Sequence, residues 1–133
     1  MQAGALMGWD ASTPVGDVYD SGCPGQMIVE HVTARWAPLI LTALRDGPMR
    51  FYELRDKIDG ISEKVLSQKL RTLVRDGLVE RTVEPYTPPR VSYALTELGV
   101  GLSQPLQQLV KWITANGSAI LQAQRDHDNQ AVS

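Results

Sequence analysis

The chain has 133 residues, 43% of them apolar and 6% aromatic, which suits one domain with a core of Leu, Val and Ile and excludes two independent cores. A net charge of −2 excludes a protein that binds polyanions through bulk positive charge. The single cysteine, Cys23, excludes an intrachain disulfide and fits a reducing, cytoplasmic setting.

Residues 1–22 are rich in Gly, Asp, Ser and Thr and show no steady period, the pattern of a mobile arm. Trp9 and Tyr19 within it are candidates for docking onto a partner subunit. No basic stretch followed by an apolar one marks a secretory leader. Gln26–Ala34 reads as a short helix opened by Pro24. Pro38–Arg45 reads as a second, nearly all-apolar helix, buried on most sides. The longest apolar stretch, Ala37–Leu44, is too short to span a bilayer, and no membrane is expected. "LRDG" at Leu44–Gly47 and "VRDG" at Val74–Gly77 each read as a helix ending on glycine, with an arginine in the last turn facing the negative dipole end.

Phe51, Leu54 and Ile58 are spaced as the apolar stripe of a short helix. "DGIS" at Asp59–Ser62 breaks that stripe and restarts it with an N-cap serine. Two short helices around a tight turn make a helix-turn-helix candidate. Over Ser62–Asp76, Leu66, Leu70, Leu73 and Val74 form the inward stripe, and Lys64, Gln68, Arg71 and Arg75 form the opposite one.

After Gly77 the period becomes two. Val79 and Val83 alternate with Glu80, Thr82 and Glu84. The stiff tip "EPYTPPR" follows, and Val91, Tyr93 and Leu95 alternate with Arg90, Ser92 and Ala94, giving a two-stranded hairpin. Arg81 interrupts the alternation. Its stem can cover core while its head reaches water or phosphate. Thr96 reads as the N-cap of a final helix with Leu98, Leu102, Leu106, Leu109 and Ile113 on one face. Pro105 predicts a kink or restart there, and the polar residues from Asn116 onward predict fraying. The expected organisation is an arm over 1–22, a domain over 23–115 and a frayed tail over 116–133. The fold class is mainly α with a small β-hairpin, in the order of a winged helix-turn-helix. A partner helix is the natural cover for the apolar face of the last helix.

Residues 50–90 hold nine Lys and Arg against seven Asp and Glu, whereas the rest holds four against eight. The positive surplus thus surrounds the Ser62–Asp76 helix. A major groove admits one helix, and Lys, Gln and Ser can bond base edges there. Lys64, Ser67 and Gln68 are therefore candidates for base contact, and Ser62 and Arg71 for phosphate or mixed contact. Arg90 at the base of the tip suits a wing on the neighbouring minor groove or backbone, and Arg50 suits phosphate. Lys69 lies off the stripe, and Glu63 opposes phosphate. A polar outer face is also what any surface helix needs. The same stripe would equally serve a winged helix that contacts protein rather than DNA.

The chain resembles the HxlR-type winged helix regulators of bacteria, relatives of the MarR-like group. The resemblance rests on "CP" at Cys23, "RW" at Arg35, "LIL" at Leu39, "RFYELRDKIDGIS" from Arg50, "LSQKLRTLVRDGLVER" from Leu66, "PPRVSYALTELG" from Pro88, and Trp112. It implies a homodimeric transcription factor on a palindromic, double-stranded DNA operator, joined through its N- and C-terminal helices. Ser92 departs from the glutamate usual in the family's "VEY", which removes any ion pair made there. The family includes members that sense oxidants through an N-terminal cysteine, and Cys23 matches that position. A thiol at a helix N-terminus is the physical case for sensing, and a small buried thiol is the alternative. Trp36 and Trp112 are candidates for a ligand pocket or simply core, so a small-molecule or oxidant effector is open. His31, His127 and Cys23 make no metal-binding or catalytic spacing. Neither an enzyme, a cofactor nor a metal is expected.

Overall fold

The computed structural model describes residues 12–132, so Trp9 lies outside the described residues. The chain divides after Ala34 into two units. In the first, residues 12–22, the described part of the stretch expected to be a mobile arm, carry defined turns. The Asp17 carboxylate accepts from the Tyr19 N–H, and the Asp20 carboxylate from the Gly22 N–H, each at 2.9 Å. Such local side-chain bonds leave no hydrophobic period to read. Helix α1, Gly25–Thr33, follows. Pro24 stands at its N-cap, opening the helix as expected.

The second unit opens with α2, Ala37–Ala43, which tightens into a 3₁₀ turn over Leu44–Asp46 instead of ending as an α-helix on Gly47. The two-residue strand β1, Met49–Arg50, leads into α3, Phe51–Lys57. Helix α4, Glu63–Arg75, is capped as expected: the Ser62 hydroxyl accepts from the Val65 N–H at 3.1 Å. Strands β2, Val79–Glu84, and β3, Arg90–Leu95, form the hairpin. The sheet has three strands in the order β1-β3-β2, not the two expected, because Met49 and Arg50 pair with Tyr93 and Ser92.

Helix α5 runs unbroken over Glu97–Val132, which corrects two expectations. Pro105 does not break it into two helices. The carbonyl that loses its donor belongs to Gly101, and both residues are exposed, so water can satisfy it. The stretch 116–132 is helical rather than frayed. Ala, Gln, Leu and Arg there are strong helix formers. The Asn116 amide donates to the Trp112 carbonyl at 2.9 Å, Gln122 to Asp126 at 2.9 Å, and Arg125 to Gln122 at 2.8 Å.

The core comprises Ile40, Leu41, Leu44, Leu54, Leu66, Leu70, Leu73 and Val79, all buried. Ser103, also buried, is satisfied twice: its hydroxyl accepts from Arg45 at 2.7 Å and donates to the Val100 carbonyl at 2.8 Å. Two bonds from Thr96 tie the end of α4 to the start of α5: its N–H reaches the Leu78 carbonyl at 3.1 Å and its hydroxyl the Gly77 carbonyl. Gly77, at φ +76°, closes α4 with its N–H on the Val74 carbonyl at 3.0 Å, and the Leu78 N–H reaches the Leu73 carbonyl at 3.0 Å, a Schellman ending that only glycine adopts without strain. Thr96 donates its hydroxyl to the Gly77 carbonyl at 2.6 Å and accepts from the Gly99 N–H at 3.1 Å. At Gly99 the chains approach so closely that a Cβ would collide with the Leu78 carbonyl oxygen. Gly99→Ala is therefore expected to cost about 1–3 kcal/mol of stability, read as a lower urea midpoint at unchanged slope.

Candidate nucleic-acid interface

Helix α4 turns Leu66, Leu70 and Leu73 into the core, each at most 1% exposed. Burying each leucine stabilises by about 1.5–3 kcal/mol, against about 1 kcal/mol for the Ser62 cap. The leucines therefore fix the rotation of the helix. On the opposite side Lys64, Gln68, Arg71 and Arg75 are all exposed, the single stripe that the spacing predicts. Val74 is only half-buried. Ser67 is half-buried as well, and its hydroxyl accepts from Arg71 Nη2 at 3.3 Å. The Ser62 oxygen accepts within the cap, which leaves its O–H free to donate outward.

Glu63, in the first turn of α4, does not stand as a bare negative charge. Arg55 on α3 bonds Glu63 Oε2 at 3.0 Å and Asp56 Oδ1 at 3.2 Å. The Asp56 bond first, and the Glu63 bond after it, push the Arg55 guanidinium above its ordinary pKa. This tie spans the turn between α3 and α4. Nothing in the sequence signals it, because the partners are eight residues apart across a turn.

Beside α3 the wing forms an open cleft of about 460 Å³ whose lining includes Arg50, Tyr52, Tyr86, Pro88 and Arg90. Register explains why both arginines face it. Arg50 pairs with Ser92, and Arg90 lies two residues before Ser92, so both side chains leave the same face of the sheet. The Arg90 guanidinium stacks over the Tyr86 ring at 4.3 Å, which holds the head of a long side chain at the tip. With serine at position 92, Arg50 has no carboxylate opposite it, and among the described residues it makes no ion pair. Tyr86 and Tyr52 were not singled out by sequence. The Tyr-x-x-x-Arg spacing within the proline-rich tip was the available signal for Tyr86.

The remaining candidates lie elsewhere. The Cys23 thiol is half-buried, donating to the Val15 carbonyl at 3.2 Å and accepting from the Gly25 N–H at 3.3 Å. Trp36 is half-buried under Arg35, at 4.5 Å, whereas Trp112 is 53% exposed on α5, and neither lines the cleft beside α3. No group of three or more His, Cys, Asp or Glu able to hold a metal occurs among the described residues.

Residues 31–120 match the model of the HxlR-like helix-turn-helix family. The chain belongs to that family. An uncharacterized HTH-type transcriptional regulator, YtfH of Escherichia coli K12, is 45% identical over 106 residues, 80% of this chain and 84% of that one. The structure of the ytfH regulator from Salmonella typhimurium superposes with a TM-score of 0.76 at 45% identity, covering 84% of this chain and 98% of that one. The redox regulator HypR in its oxidized form gives a TM-score of 0.66 at 33% identity, covering 71% and 97%. This HxlR-family chain is thus a transcriptional regulator with a winged helix-turn-helix DNA-binding domain.

The Arg55–Glu63 pair yields a directional test. Glu63→Gln removes a carboxylate from the α4 N-terminus and frees part of the Arg55 charge. It is expected to tighten binding to all duplexes alike, by about 2- to 5-fold at low salt, as measured by fluorescence anisotropy. Weaker binding would show that Glu63 itself contacts the ligand.

Proposed function

We propose that this HxlR-family protein acts in the cytoplasm as a homodimeric repressor that reads a palindromic operator. The observation that carries this reading is the exposed Lys64–Gln68–Arg71–Arg75 stripe on α4, backed by three buried leucines. Lys64, Ser67 and Gln68 read base edges in the major groove, and Ser62 and Arg71 hold phosphate. Arg50 and Arg90 grip the backbone beside the wing. Two half-sites one helical turn apart, roughly 34 Å, match a twofold dimer.

Dimerisation is supported by apolar side chains that α5 leaves uncovered. Leu109, Trp112, Ile113, Ile120 and Leu121 are each 44–54% exposed. On α1, Met27, Ile28 and Val29 are 44–49% exposed. A second copy is the economical cover for both surfaces. An oxidant acting on Cys23 is the effector most in keeping with the relatives, which include the redox regulator HypR in its oxidized and reduced forms. Oxidation of a lone cysteine would give an intersubunit or mixed disulfide, or a sulfenic acid.

A mobility-shift assay over a salt series tests the reading. Affinity should fall steeply as salt rises, because phosphate contacts release counterions. Gln68→Ala should relax base preference, and Arg71→Ala should weaken all sequences alike by about tenfold. Binding no stronger than background at every salt concentration would favour a winged helix that contacts protein. Ile113→Glu should shift the chain to monomer in analytical ultracentrifugation, with loss of binding to a two-half-site duplex. A variant that stays dimeric would place the dimer seam away from Ile113.

A further inference from the structure

Between α4 and the paired strands β2 and β3 lies another cleft, of about 330 Å³, lined by Ser67, Leu70, Arg71, Val74, Arg81 and Tyr93. Leu70 and Val74 supply its apolar lining. The polar groups are two guanidinium ions, a serine hydroxyl and a phenol, with no carboxylate among them. Arg81 pairs across the sheet with Tyr93. Its neighbours on β2, Glu80 and Thr82, point to the other face because side chains alternate along a strand. Among the described residues Arg81 makes no hydrogen bond or ion pair, and Arg71 bonds only the Ser67 hydroxyl.

The fold therefore brings two like charges to one cleft and supplies no counter-charge. An anion with several acceptor oxygens relieves that repulsion, and a guanidinium fork matches phosphate geometry in particular. The cleft also runs into the exposed stripe of α4, since Arg71 belongs to both. Its occupant must then be something that lies along α4. We infer that Arg71 and Arg81 together hold one backbone phosphate of the bound duplex, fastening α4 and the wing to the same point on a strand. The inference rests on the DNA-binding reading above. It assigns Arg81 to the interface as a residue that adds affinity without sequence preference.

The probe is the duplex that the wild-type dimer selects from a random pool, made with an uncharged methylphosphonate at each phosphate in turn. A mixed-sequence duplex is the non-specific control. Arg81→Gln should weaken both duplexes about tenfold and leave the selected sequence unchanged. Neutralising one particular phosphate per half-site should weaken wild type, weaken R71Q and R81Q less, and leave the double variant unaffected. The double variant should lower the slope of log affinity against log salt by about 0.9 per half-site, with each single variant lowering it less. Arg81→Lys, which keeps the charge without the fork, should retain the salt slope and lose part of the affinity. Different sensitive phosphates for R71Q and R81Q, or unchanged affinity in R81Q, would overturn the shared clamp and leave the α4 reading intact. A wild-type chain that binds no duplex at all would overturn both.

Discussion

The burial of Leu66, Leu70 and Leu73 is the constraint from which the interface follows. These three side chains are nearly inaccessible, and they sit one turn apart on α4. Rotating the helix by one residue, about 100°, would withdraw them from the core and press Arg71 or Lys69 toward it. Burying one uncompensated charge costs more than a leucine returns. The outward direction of Lys64, Gln68, Arg71 and Arg75 is thus enforced from inside. A reading surface needs that rigidity, because base edges reward side chains already held in place.

A second constraint joins the parts. The last turn of α4, the residue that leads into β2 and the first turn of α5 meet at Gly77, Leu78, Thr96 and Gly99 through bonds of 2.6–3.1 Å. The wing is thereby positioned against α4 at its root, and the long helix starts from the same knot. If α5 carries the dimer seam, the spacing of the two recognition helices is set through this junction. Sequence alone gave each residue a local role: a C-terminal glycine, an N-cap threonine. That they form one joint is a property of packing.

Much of the fold was legible for a simple reason. Helices α3 and α4 and the hairpin are short, periodic and punctuated by Ser62, Gly77 and the prolines, so local pattern and global fold agree. What escaped was of another kind. Strand β1 is two residues long and exists only through its pairing with Tyr93 and Ser92, so no period announces it. The stretch after Asn116 was expected to fray because polar residues predominate in it, yet its strong helix formers and side-chain bonds sustain a helix. The stripe on α4 was readable because periodicity reports a face. The Arg55–Glu63 tie and the Arg71–Arg81 cleft were not, because each joins residues of different elements.

The acidic net charge becomes less of a puzzle once distances are considered. At physiological salt, exposed charges farther apart than about 8 Å are largely screened from one another. Asp126 and Asp128 lie about 40 Å along α5 from the joint with α4, at 1.5 Å per residue. They contribute to the balance of −2 and almost nothing to the field over the recognition helix. Nearer to it, Glu63 is paired with Arg55, and Glu80 and Glu84 leave the sheet on the face opposite to Arg81. What a phosphate would meet along α4 is therefore a local surplus of cations. The sign of that local field, rather than the total, governs which partner the surface accepts.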